Sequence, residues 1–302
     1  MTTTLAAPTL DDRIQTSLNA PADLAVRAFA AHLGEAAGAL AVLFYGSNLR
    51  TGSLDGVLDF YVLLPGGVET GLWPRVSYHE REDAGRTLRA KVATMTLATF
   101  AAAASGEALD TTIWARFVQP SGLVWARDSE QCGAVGEAVA SAAITAARYA
   151  VALGPVAGTA DDYWRALFRA TYRAEFRVEK PGRENDILGI NAAHFAGLLP
   201  AALDAGGIGW TREGETLLPQ LATPERDRLR REWVRRARLG KPYNLVRLLR
   251  ASTTFDGAAK YAAWKIERHT GVPVALTPWR ERHPVLAAPG VLWRVWRARR
   301  AQ

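Results

Sequence analysis

Apolar and polar positions alternate along this chain with two different periods. Over residues 23–39, Leu24, Val26, Phe29 and Leu33 recur at helical spacing in an Ala-rich stretch, and Asp23 after Pro21 supplies an N-cap; this predicts a helix. The run ALAVLFY at 39–45 is too short for a good helix and reads as a buried strand, and VLDFYVLL at 57–64 reads as a second, closed by Pro65, Gly66 and Gly67. A short strand is expected at 76–79 and another at 87–96, followed by a helix at 97–105. Residues 112–118 and 123–126 read as short extended pieces. The first part of the chain is therefore expected to be α/β, one sheet flanked by helices.

The pattern changes near residue 130. Helices are predicted over 133–153, 161–178, 185–205, 224–238, 243–250 and 256–269, the fourth of them highly charged. The expected organisation is a sheet domain over 1–130, a mainly helical domain over 131–284 and a basic amphipathic segment over 285–302.

Composition narrows the field. The chain has 302 residues, 49% of them hydrophobic and 22% charged, which excludes a disordered, collagenous or disulfide-rich protein. Its single cysteine, Cys132, has no internal partner. No run of about eighteen apolar residues lacks charge, so no transmembrane helix is expected. The first twelve residues have no basic region followed by an apolar core, so no signal peptide is expected. These readings predict a protein in the cytosol or on the inner face of its membrane. The net charge is +7, and of 37 basic residues only Lys91, Lys180, Lys241, Lys260 and Lys265 are lysine. A basic balance admits nucleic acid, anionic lipid or phosphate-bearing substrates. For nucleic acid, Asp227 and Glu232 interrupt the arginine cluster at 226–250, and none is expected as a partner.

The sharpest local signal is Phe44-Tyr45-Gly46-Ser47 followed by Leu58-Asp59-Phe60. A strand ending in Gly-Ser, with an acid on the next strand, resembles the nucleotidyltransferase fold. In such a site Gly46 lets the backbone approach a triphosphate, and Ser47 binds phosphate oxygen. Asp59 is the candidate ligand for Mg²⁺. The usual second acid, two residues on, is Tyr61 here, which leaves Asp55 as the nearest helper.

Further segments follow in a familiar order. Lys91 lies in KVATMTLATF; Arg116 and Pro120 lie in Ala115-Arg116-Phe117-Val118-Gln119-Pro120. Tyr172, Glu175 and Arg177 lie in Ala170-Thr171-Tyr172-Arg173-Ala174-Glu175-Phe176-Arg177. Ala193-His194-Phe195 comes next, then Ser252-Thr253, Gly257, Lys260, Tyr261 and Lys265. Over residues 40–268 the chain resembles the mitochondrial-type phosphatidate cytidylyltransferases, also called translocator assembly and maintenance proteins, and looks like a prokaryotic relative. Gln119 and Glu175 depart from the family's Lys and Asp. The resemblance implies an Mg²⁺-dependent, membrane-peripheral enzyme that makes CDP-diacylglycerol and pyrophosphate from CTP and phosphatidic acid.

It also implies roles. Asp59 holds the metal, with Asp55 as helper; Lys91 and Arg116 clamp phosphates. Gly46, Ser47, Tyr172, Glu175 and Arg177 face the nucleotide. A cation-rich site suits this chemistry, because phosphate attacking phosphate is resisted by charge rather than by a weak nucleophile. At the C-terminus, VLWRVWRARR places tryptophans among arginines, as an anionic bilayer interface selects. Lys260, Lys265, Trp293, Arg294, Trp296 and Arg297 are the expected lipid or membrane contacts. His79 and His194 are read as structural, since no cluster has zinc-type spacing. The alternatives are transfer of another nucleotide or to another phosphorylated lipid, and a degenerate nucleotide- or lipid-binding protein.

Overall fold

In a computed structural model, residues 7–71, 73–174, 182–254, 257–282, 287–291, 293–294 and 297 are described. The chain is α/β, with a mixed five-stranded sheet flanked by helices. It opens with α1 (Leu10–Leu18), which no expectation covered, and α2 (Leu24–Ala36). Then come β1 (Ala41–Tyr45), the short α3 (Ser47–Thr51), β2 (Leu58–Leu64), β3 (Arg75–Asp83) and β4 (Arg86–Thr96). Next are α4 (Leu97–Ala104), α5 (Thr112–Phe117) and β5 (Ser121–Ala126). Strand order is β3-β4-β2-β1-β5; only β2 and β4 run parallel.

The two faces of the sheet bury different sets of residues, as period-2 alternation requires. Val42, Phe44, Leu58, Phe60 and Val92 face α2, where Phe29 meets Phe60 edge-on at 6.0 Å. Leu43, Tyr61, Ala93 and Met95 face the helices of the opposite layer. The strand expected at 76–79 is longer because Ala84 and Gly85, both at positive φ (46° and 78°), make a tight two-residue hairpin into β4.

One expectation fails at a position that matters. Residues 112–118 are not extended; Thr112–Phe117 is helix α5. Asp110 accepts from the Thr112 amide and hydroxyl, and Ile113, Trp114, Ala115 and Phe117 are all buried. A short helix buried nearly all round has no polar face, so it reads like a buried strand.

The later part begins with α6 (Ser129–Leu153) and α7 (Ala160–Ala174). They precede α8 (Arg183–Ile190), α9 (Ala192–Phe195) and α10 (Leu198–Ala205). The single helix expected at 185–205 is thus three pieces. Asn191 turns its side chain onto the Ile187 carbonyl, Gly197 starts α10 at φ +74°, and the break bends the path by 80°. A small hairpin of β6 (Trp210–Glu213) and β7 (Thr216–Pro219) was not expected either. After it, α11 (Thr223–Thr254) replaces the two helices expected at 224–238 and 243–250, and runs through Pro242. The chain continues with α12 (Ala258–Thr270) and α13 (Pro278–Arg282). Among the described residues no single helix is long and apolar enough to cross a membrane. One core joins the sheet to the helical part: Leu43 and Tyr61 share it with Ala146 of α6, Trp164 of α7 and Trp233 of α11.

The charged helix α11 is held by its arginines. Arg236 is only 8% exposed; its guanidinium donates to the carbonyls of Gly106 and Ala108, just beyond α4, and to the Tyr149 hydroxyl. Arg230 donates to Ala152 O at 2.8 Å in the last turn of α6, and Arg148 pairs with Glu225. A helix end leaves carbonyls without intrahelical donors, and a cationic fork satisfies them. Replacing Arg236 with Ala should therefore cost on the order of 3 kcal/mol, because part-buried carbonyls lose a charged donor and a buried side chain is removed; urea unfolding would read it. A loss below about 0.5 kcal/mol, typical of surface positions, would show that the clamp contributes little.

Candidate functional site

Strand register lines up the candidate residues. Tyr45 on β1 is paired with Asp59 on β2, Asp59 with Lys91 on β4, and Lys91 with Tyr78 on β3. Residues paired across strands share a face, so this row lies on the side of the sheet that carries Tyr61 and Ala93. Three strand spacings separate its ends, roughly 14 Å. Asp59 and Lys91 therefore form the middle of a floor bounded by two tyrosines.

At the β1 end, α5 supplies Arg116. Its guanidinium donates to the Tyr61 hydroxyl at 2.5 Å and lies 5.1 Å from the Tyr45 ring centre and 5.7 Å from that of Tyr61. Tyr61 is 1% exposed. It occupies the same face two residues beyond Asp59, where the resemblance has a second acid; here a phenol oxygen holds a cation instead. Tyr61 is a site residue that the spacing alone did not reveal. Its signal was present in the sequence, as a hydroxyl in the place of the missing acid.

The turn after β1 closes on the acid. Gly46 sits at φ +92°, and a Cβ there would lie 3.2 Å from Asp59 Oδ2. Only glycine combines that backbone with that approach. Ser47 begins α3 and is exposed. Buried Asn48, another residue not anticipated, donates through Nδ2 to the carbonyls of Ser53 and Asp55, both at 2.8 Å. It thereby fixes the loop on which Asp55 stands, exposed, ahead of Asp59.

The β3 end is walled by α12. Tyr261 packs on Tyr78 with ring centres 5.5 Å apart, and the guanidiniums of Arg89 (5.5 Å) and Arg268 (5.2 Å) both lie over the Trp264 ring. Gly257, at φ +77°, starts this helix; a Cβ there would come within 2.8 Å of the Tyr78 carbonyl. Arg268 reaches back to Gly56, where a Cβ would stand 3.1 Å from its Nη1. Lys260 and Lys265 are exposed on α12, with Lys265 Nζ 5.8 Å from the Tyr261 ring centre. The two lysines thus belong to a helix packed against the sheet edge.

The other expected residues are less concentrated. Tyr172 is half-buried on α7 against the main core. Glu175, Arg177 and Trp296 lie outside the described residues. Trp293 and Arg294 are exposed, and Arg297 lies over the Trp293 ring at 4.8 Å. His194 is held by a hydrogen bond from Nε2 to the Val118 carbonyl (2.9 Å), and burial lowers its pKa. His79 hydrogen-bonds Ser77 at 2.8 Å.

Burial raises the pKa of Asp59, against the pull of Lys91 and Arg116 toward the charged form. Desolvation wins over two nearby cations. Burial thus favours the neutral carboxyl here. Among the described residues no group of three His, Cys, Asp or Glu side chains could hold a metal ion by itself. One carboxylate fits Mg²⁺ that arrives with phosphates and water completing its oxygen shell. No family model matches the chain, and no curated protein matches it at a significant level.

The raised pKa has a direct consequence for stability. An ionised Asp59 costs the folded state above its raised pKa, and the cost disappears as pH falls from there to the ordinary carboxylate value. Asp59→Asn should therefore melt no lower than the parent at pH 7, and any advantage should fade on acidification. A clear loss of melting temperature at pH 7 would make Asp59 a structural acid.

Proposed function

We propose that this protein is an Mg²⁺-dependent nucleotidyltransferase that joins CTP to phosphatidate, making CDP-diacylglycerol and pyrophosphate at a membrane surface. The observation that carries the reading is the row itself. One part-buried carboxylate stands beside a lysine and a forked arginine, next to a glycine turn that closes on the carboxylate. The sequence resemblance supplies the identity of the two substrates.

The chemistry asks little of a base. A phosphate oxygen of the acceptor attacks the α-phosphorus of the nucleotide, a new P–O bond forms, and the bond to the bridging oxygen breaks. Pyrophosphate departs with that electron pair. The attacking oxygen is already anionic, so the residues of this chain have to neutralise and orient. Lys91 contributes a compact charge beside Asp59. Arg116 offers a planar fork, part of it held by Tyr61 so that the rest keeps a fixed direction. Asp59 would hold Mg²⁺, which when bound neutralises the triphosphate. Gly46 and Ser47 line the phosphate approach.

Several features support a peripheral place on the inner membrane face. The chain is basic, and Trp293, Arg294 and Arg297 form an exposed tryptophan–arginine patch. The arginine-rich helix α11, by contrast, commits Arg230 and Arg236 to backbone carbonyls.

Pyrophosphate release with Mg²⁺ and phosphatidate vesicles, offered CTP, ATP, GTP and UTP in turn, tests the reading. The expected outcome is release with CTP alone and only when the lipid is present. Nucleotide binding without release would overturn the assignment as an enzyme. Asp59→Asn should lower turnover by roughly 10²–10³-fold, the scale of removing one preorganised electrostatic group. Arg116→Lys should cost nearly as much as Arg116→Ala, because a point charge cannot reproduce the fork; full activity in the lysine variant would remove Arg116 from the phosphate clamp.

A further inference from the structure

Tyr61 stands two residues beyond Asp59 on β2, on the same face of the sheet. It is buried, and its ring packs among those of Tyr45 (5.3 Å between centres), Phe100 (6.4 Å) and Phe117 (5.2 Å, edge-on). Packing against three rings fixes where the phenol oxygen points. Two consecutive residues of α5 meet it there: Phe117 touches the ring, and Arg116 donates to the hydroxyl at 2.5 Å. The same guanidinium lies 5.1 Å from the ring centre of Tyr45, the residue paired with Asp59 across β1 and β2. Arg116 is thus a cation set in a fixed place, close enough to the candidate acid for the two charges to interact.

We propose that the guanidinium of Arg116, positioned by Tyr61, takes the place of a second divalent cation, so that this site works with one metal ion. The inference rests on the transferase reading and deepens it. Two neighbouring metal ions can clamp a phosphoryl transfer by stabilising the attacking and the leaving oxygens together. Holding two ions side by side calls for more than one carboxylate. Here the residue that shares the face with Asp59 one step along the strand is a phenol, which is not among the usual ligands of Mg²⁺. That phenol accepts from a guanidinium instead. A second divalent ion in the same place would meet a fixed positive charge at close range. Asp59 remains as the carboxylate for one ion that arrives with phosphates and water. The exchange of ion for arginine keeps the neutralising charge and adds direction, because a planar fork matches phosphate oxygens. Arg116 is then the group that meets phosphate, and Tyr61 a positioning residue that acts through it.

The test counts metal ions. Mn²⁺ stands in for Mg²⁺, and its unbound fraction is read by electron paramagnetic resonance. The full chain, saturated with a non-hydrolysable α,β-methylene analogue of CTP, should bind one Mn²⁺ tightly. Two tightly bound ions in the nucleotide-bound chain would overturn the inference and leave the transferase reading standing. A chain that binds no analogue would discard both. Turnover supplies a second, independent readout. Tyr61→Phe keeps the ring and removes the hydroxyl; it should lower kcat roughly tenfold, with KM for CTP little changed, as loss of an interaction made in the transition state requires. In an Arg116→Ala background the same substitution should cost nothing further, because the two residues act as a unit. Equal losses in both backgrounds, or an unchanged kcat in Tyr61→Phe, would make Tyr61 a packing residue and overturn its positioning role.

Discussion

Asp59 is a carboxylate drawn partly out of water, and the arrangement around it answers that constraint. The β1–β2 and β2–β4 registers set Tyr45 and Lys91 on either side of it, and α5 brings Arg116 toward the same place. Even so, burial keeps its pKa raised. A group left in that condition is poorly explained as a contributor to stability, because burying charge costs free energy unless pairing is complete.

Arg116 links this acid to the rest of the molecule. Its helix is anchored along its buried face, where Trp114 stacks on Tyr149 of α6 at 5.4 Å and Trp233 of α11 meets both rings. The approach to α5 is fixed by Arg236, and the chain leaving it by the hydrogen bond from His194 to Val118. The helical part therefore does more than cover the sheet: it sets the position of a side chain at the site. Short-range order in α5 alone would not hold a six-residue helix, since isolated helices of that length are unstable in water.

Arginine serves two purposes in this chain, and composition does not separate them. Arg230 satisfies a carbonyl in the last turn of α6, and Arg236 two carbonyls in the chain after α4. Arg89 of β4 lies over the Trp264 ring of α12, and Arg268 of the same helix lies over it as well. Arg294 and Arg297 line a groove that has no acid among its described lining. A net charge of +7 thus overstates the cationic surface offered to a partner, because part of it is engaged with backbone and rings.

The sequence by itself determined the elements whose signal is local. The apolar runs of β1 and β2, the alternation of β4, the capped helix α2 and the long α6 were all legible, because period and caps are written into neighbouring residues. So was the pairing of a Gly-Ser turn with Asp59. The capping box of Thr9 with Asp12 was equally local, and reading it would have found α1. Tertiary structure decided the rest. Whether TIWARF is strand or helix depends on what surrounds it, since burial on all sides erases periodicity. The helical stretch breaks at Asn191 and Gly197, whereas α11 runs through Pro242. That Tyr61 would hold Arg116, and that α12 would wall the sheet beside Tyr78, required contacts between residues 55 and 183 positions apart. No local pattern encodes such contacts; they arise when separate elements bury their faces together.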